Sequence, residues 1–247
     1  MLRCALLPLF AFAIGCAEDT VILSGIVGEG PDEEAVGLAG ADVEIIDTTT
    51  NELLVSGATN ADGEFDFLLP VGLEIAALVR SDTTVTTSFV GQTGFIDVTL
   101  DPGTLYGLSA EEVASWRADF EGCPGVDEDK VILGLMAFTN LAGEEGGENP
   151  IAAGGRARLF EGEDEFLPCY LDSKTGLYSN VADRTGNTGR FGFFGAPTGN
   201  TVLDVVFEWA PESFDTPGLL PVYIPDVDEE VVVPYLPLRL TFPIATP

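Results

Sequence analysis

Residues Thr59–Phe67 read TNADGEFDF, and residues Thr185–Phe193 read TGNTGRFGF. Both spell Thr, three residues, Gly, one residue, Phe, one residue, Phe. In the first, Asp62-Gly63 supplies the positive φ of a tight reversal. Phe65 and Phe67 then stand two apart, on one face of a strand, with Glu64 and Asp66 on the other. The second keeps the Gly and both aromatics but replaces the intervening residues with Arg190 and Gly192. A phrase that keeps its turn glycine and its apolar pair while its polar residues vary reads as a structural signature and not as an active site.

Matching landmarks surround both copies. VILSGIVGE (21–29) and VILGLMAF (131–138) are apolar and β-branched. ADVEIID (41–47) alternates with period two, Val43 and Ile45 on one face and Glu44 on the other, and RARLFE (156–161) takes the corresponding place. Pro70-Val71-Gly72 and Pro197-Thr198-Gly199 follow the two phrases. LEIAALVR (73–80) and TVLDVVFEW (201–209) then supply further strands, and GFIDVTL (94–100) closes the first unit.

The order strand, Gly-Ala-x-Val, Thr-x-x-x-Gly-x-Phe-x-Phe, Pro-x-Gly in residues 21–101 resembles the carboxypeptidase regulatory-like domain. That family implies a transthyretin-like (prealbumin-like) β-sandwich acting as a structural, spacer or binding module, without peptidase activity of its own. Residues 131–247 resemble it more distantly. They lack the Ala-x-Val spelling, carry an insertion between Glu161 and Thr185, and become Pro-rich after Trp209, which suits edges and turns. The expected fold is therefore all-β, two tandem transthyretin-like β-sandwiches joined by a short helix. The connector spans 102–130. Within it Ser109 and Glu112 form a capping box, Val113, Trp116 and Phe120 make an apolar stripe, and Gly122 ends the helix.

Composition limits the chemistry. Of 247 residues, 41 are acidic and 10 basic, giving a net charge of −31. This disfavours nucleic acid, which is bound through Lys and Arg, and anionic lipid headgroups. The chain has no histidine, which removes Ser-His-Asp and Cys-His catalysis and His-based zinc sites.

The N-terminus reads as a secretory signal. Arg3 provides positive charge, and the apolar run Cys4–Ile14 is too short to span a bilayer. Ala13-Ile14-Gly15-Cys16 resembles the bacterial lipobox, with Ala13 where Leu is usual. That resemblance implies cleavage after residue 15, acylation of Cys16 and a short tether over 16–20. With Ala17 following, it also implies sorting to the outer membrane. Cys4 is then removed with the signal, and Cys123 and Cys169 remain as an even pair in an oxidising compartment, expected to form a disulfide.

The acidic runs VDEDK (126–130) and EGEDEF (161–166) are candidate calcium loops, although neither follows the EF-hand order. Asp62 is accounted for by its turn, and GEEGGEN (143–149) reads as a flexible loop. No catalytic, metal or cofactor residue is nominated. The sequence reads as a non-enzymatic, lipid-anchored envelope protein that meets a membrane through its anchor, and an envelope protein or glycan through its sandwiches. A calcium-stabilised adhesin-like module is the alternative. A histidine-free glycosidase working through two carboxylates comes behind both, since no pair stands out among so many.

Overall fold

The computed structural model describes residues 20–30, 36–93, 105–126, 131–135, 155–171, 175, 178–179, 182–184, 190–196, 199, 201–209, 218–227 and 230–233. The signal, Cys16, GFIDVTL, residues 127–130, the 143–149 loop, Thr185, Pro197, Thr198 and everything after Val233 lie outside them.

The protein is all-β, with one helix among the described residues. Its first half contains β1 (Thr20–Glu29), β2 (Asp42–Asp47), β3 (Glu52–Ala58), β4 (Glu64–Pro70), β5 (Leu73–Ser81), β6 (Thr84–Thr93) and β7 (Leu105–Ser109). β4 pairs antiparallel with β1, and β1 runs parallel to β7 from Val27 to Glu29. Opposite lies the antiparallel order β3-β2-β5-β6. Between the two layers sit Val27, Val43, Ile45, Phe65, Leu69, Ile75, Ala77 and Val79. β1, β2 and β4 obey the period-two alternation that the sequence shows.

The opening phrase is a turn fastened at three points. Thr59 is buried, and its hydroxyl donates to the Leu38 carbonyl at 2.6 Å while accepting from the Ala41 amide at 3.0 Å. Asn60 Oδ1 accepts from the amides of Asp62 (2.9 Å) and Glu64 (3.0 Å). Gly63 has φ +78°, and a Cβ there would stand 2.6 Å from the Val27 carbonyl oxygen, so conformation and space both demand glycine. Phe65 is buried, with its ring over Gly25. Phe67 is half-buried and covers Gly57 on β3.

The second half contains β8 (Val131–Leu135), β9 (Gly155–Glu161), β10 (Asp164–Phe166), β11 (Cys169–Leu171), β12 (Tyr178–Ser179), β13 (Arg190–Phe194), β14 (Thr201–Trp209), β15 (Gly218–Ile224) and β16 (Val231–Val233). The pairing pattern of the first half recurs. β13 pairs antiparallel with β8 as β4 does with β1, and β16 runs parallel to β8 as β7 does to β1. The order β10-β9-β14-β15 repeats β3-β2-β5-β6. The insertion between Glu161 and Thr185 supplies β10 and adds β11 and β12 beside β13.

Three features depart from the sequence reading. Two strands, β3 and β6, stand where it named none. The connector expected over 102–130 begins with β7, which pairs inside the first half, and only then enters the helix α1 (Ala110–Asp119). The halves also share more than that connector. β16 lies between β6 and β8, parallel to both, so one sheet runs through both halves. The run Ile75–Val79 on β5 is buried throughout. Its odd residues face the first core, while Ala76 and Leu78 pack on Tyr223 of β15. A continuous apolar run of this length marks a strand covered on both faces. Pro221 lies on β15, which among the described residues pairs with β14 alone and so stands at an edge of its sheet, the position that proline tolerates.

Candidate functional site

The region that gathers the most distinctive chemistry is the corner where α1 meets the insertion. Ser109 ends β7 and caps α1. Its hydroxyl accepts from the Glu112 amide at 3.2 Å, and Glu112 Oε2 accepts from the Ser109 amide at 2.8 Å. Glu111 and Glu112 in the first turn and Arg117 in the last complement the helix dipole. The chain leaves α1 through Phe120 and Gly122, whose φ is +90°.

Cys123 and Cys169 are bridged, with a Cα–Cα separation of 6.2 Å, inside the range that a disulfide requires. The bridge ties the turn after α1 to β11, fixing the insertion against the helix. Leu108, Val113, Phe120, Tyr178 and Val232 surround it. Phe120 stacks on Tyr178 with centroids 3.5 Å apart and meets Phe194 edge-on at 4.9 Å. Gly192, directly opposite Cys169 in the ladder, leaves the space that the Phe120 ring occupies. Both sulfurs belong to buried residues, a setting for a structural link and not for a reactive thiol.

Beside the helix, a shallow cleft of about 370 Å³ is lined by Ala110, Ala114, Ala118, Glu121 and Val126, and is crossed by the Arg117–Glu230 ion pair. A second, polar cleft of about 580 Å³ lies at the β5–β6 turn among Asp42, Arg80, Ser81, Asp82, Thr83 and Thr84. There the Ser81 hydroxyl lies 3.1 Å from that of Thr83 and 3.0 Å from that of Thr84, and Arg80 pairs with Glu44 at 2.5 Å.

Of the acidic runs, 126–130 is described only at Val126. The 161–166 run is the exposed hairpin β9–β10, turning at Gly162. Its Glu165 accepts from Arg158 Nε at 2.7 Å and Nη2 at 2.9 Å, and the guanidinium also lies 4.8 Å from the Phe160 ring centroid. The hydrogen bond from Arg158 holds the Glu165 carboxyl below its usual value, against a smaller opposing effect of desolvation. Among the described residues, no three His, Cys, Asp or Glu side chains converge on a point where a metal could sit. Asp62 is exposed in its turn.

The sequence missed the junction around Tyr223. This residue is fully buried, and burial pushes its phenol above the ordinary value. The hydroxyl donates to Asn51 Oδ1 at 3.3 Å, at the left-handed turn between β2 and β3. The signal available for it was the double-sided apolar run on β5.

No protein-family description matches the chain, and no curated protein is similar to it. Among solved structures, it is similar to the shaft pilin SpaA of Lactobacillus rhamnosus GG, at 10% identity and a TM-score of 0.25, covering 92% of this chain and 100% of the other. A Streptococcal ancillary pilin shares 15% identity with a TM-score of 0.26, over 89% of this chain and 63% of that one. The Bacillus anthracis TIE protein shares 13% with a TM-score of 0.25, over 90% of this chain and 34% of its own length.

Proposed function

We propose that the protein is a non-enzymatic envelope module, anchored by acylated Cys16, in which two transthyretin-like β-sandwiches form a single spacer or binding unit. The bridged Cys123–Cys169 pair carries this reading. Such a bond persists in an oxidising compartment outside the cytoplasm, and it leaves Cys16 as the cysteine retained after removal of the signal and outside the pair. The repeated pairing pattern supports two related sandwiches, and β16 and Tyr223 support their acting as one body.

The chemistry favours binding over catalysis. Histidine is missing from the chain. Arg158 holds the Glu165 carboxyl below its usual value, so this residue is not suited to be the general acid of glycoside hydrolysis. The outer membrane is the destination this reading gives, with an envelope protein or glycan as partner.

The test is mass spectrometry of the mature protein's N-terminus, with cell fractionation of the wild type and Cys16→Ser. An acylated N-terminal Cys16, and release of Cys16→Ser into the soluble fraction, are expected. An unmodified N-terminus, or equal partition of the two forms, overturns the anchor.

A further inference from the structure

We propose that the outer face of the β1–β4 pair, at the end bearing Ile22 and Leu68, rests on an uncharged phospholipid surface and sets the orientation of the anchored protein. The inference depends on acylation at Cys16. Three residues, Ala17, Glu18 and Asp19, separate Cys16 from Thr20, where β1 begins, so the span is four residue steps. A fully extended chain covers about 3.3–3.6 Å per residue, so Thr20 stands within about 14 Å of the acylated residue. The headgroup layer of one leaflet is itself about 5–7 Å thick. The start of β1 is therefore held at the membrane surface, and the side chains next to it must face lipid or the water film above it.

On β4 those side chains run from apolar at the near end to acidic farther along, whereas on β1 Ile22 and Ile26 both stay exposed, at 65% and 43%. Ile22 and Leu68 stand directly opposite each other in the ladder. They are 65% and 64% exposed, although the alternate residues of both strands turn inward to the core. Thr20 opposite Pro70 completes the near end. Beyond it come Ser24 opposite Asp66 and Ile26 opposite Glu64. Charge thus rises along β4 with distance from the anchor, from Pro70 and Leu68 to Asp66 and Glu64. A patch of this size would not hold a protein on a membrane alone. Joined to acyl chains it acts at high effective concentration and needs only to choose the face that lies down. The net charge of −31 opposes contact with anionic lipid, which makes an uncharged surface the partner.

The full-length acylated protein provides the test. With Cys16 acylated and Cys123 bridged to Cys169, a cysteine introduced by Leu68→Cys is the sole free thiol and can carry an environment-sensitive fluorophore. The same label at Glu64→Cys, about 13 Å along the strand, is the control. In phosphatidylcholine vesicles containing spin-labelled lipid, quenching at position 68 should exceed that at 64 several-fold, and Ile22→Ser should reduce it. Equal quenching at the two positions, or quenching at 68 that Ile22→Ser leaves unchanged, overturns the lipid-contact proposal while co-sedimentation with vesicles still upholds the anchor. Failure to co-sediment overturns both.

Discussion

The hydroxyl of Ser88 on β6 donates to the main-chain carbonyl of Tyr223 on β15, 2.7 Å away in space and 135 residues away in sequence. The same tyrosine lays its ring on Ala76 and Leu78. The first sheet therefore presents two buried faces, and the second half of the chain supplies the cover for one of them.

Tyr223→Ala should cost about 3–5 kcal/mol, the range for removing a large buried aromatic. Ser88→Ala should cost about 1 kcal/mol, as for one net hydrogen bond. Urea unfolding followed by tryptophan fluorescence and by circular dichroism gives both values. The wild type should unfold in one transition by both probes, because Tyr223 covers the second face of β5 and β16 joins β6 to β8. Tyr223→Ala should separate the two probes.

Two turn glycines provide a comparison with its own control. Gly40 and Gly63 both have positive φ, but a Cβ at Gly40 meets nothing within 4 Å, whereas one at Gly63 meets the Val27 carbonyl oxygen at 2.6 Å. Gly40→Ala should cost about 1–2 kcal/mol from backbone conformation alone. Gly63→Ala should cost that and about 1–3 kcal/mol more from steric overlap. Similar melting temperatures for the two variants would refute the close approach at Gly63.

Much of this was legible from residues 59–67 outward. The turn glycine, the inward phenylalanines, the capping box at Ser109 and Glu112 and the cysteine pair all follow from rules that act over a few residues or from simple counting. The parts that were not legible depend on distant partners. β6, TVTTSFVGQT, carries more hydroxyls than apolar side chains, so its alternation is faint. Its buried Thr87 and Ser88 are satisfied by the carbonyls of Tyr106 and Tyr223, which no local pattern announces. The role of Thr59 as a latch to Leu38 and Ala41 was hidden for the same reason. At the candidate site, the bridge was foreseen, but the stacking of Phe120 on Tyr178 was not, since Tyr178 arrives from within the insertion.

Removing the Cys123–Cys169 bridge with a Cys123→Ser/Cys169→Ser double variant should cost about 2–4 kcal/mol. For a chain of this size that lowers the melting temperature by about 2–4 °C per kcal/mol. Proteolysis should then cut first between Glu161 and Thr185, the segment that the bridge pins to the helix. An unchanged melting profile in reducing buffer would show that the aromatic cluster holds this corner unaided.

Acid titration isolates the β9–β10 hairpin. The folded-state pKa of Glu165 is lowered by Arg158, so its contribution is complete above the ordinary Glu value of about 4.3 and is lost as pH falls through the lower folded value. Both partners are substantially exposed and solvent screens them, so the effect should stay within about 0.5 kcal/mol. Glu165→Gln should therefore lower neutral-pH stability by up to about 0.5 kcal/mol, and the difference from the wild type should vanish as pH falls below about 4.3. A loss no larger at neutral pH than in acid would contradict the assignment.

Calcium gives a separate outcome. With Glu165 engaged by Arg158, the 161–166 hairpin should not take up the ion, and millimolar calcium should move the melting temperature no more than magnesium does. A calcium-specific rise of several degrees would correspond to roughly 2.7 kcal/mol at a hundred times the dissociation constant and would favour the adhesin-like reading.

The place of β16 between β6 and β8 also bears on the time course of folding. A chain synthesised from its N-terminus presents β6 long before β16 exists, and such distant pairings are slow to form. Until the last strand arrives, the stretch of β6 around Thr86 and Thr87 offers open backbone groups to any neighbouring chain. The nascent first half is therefore most at risk of sticking to its fellows during synthesis, and the arrival of β16 beside β6 closes that window.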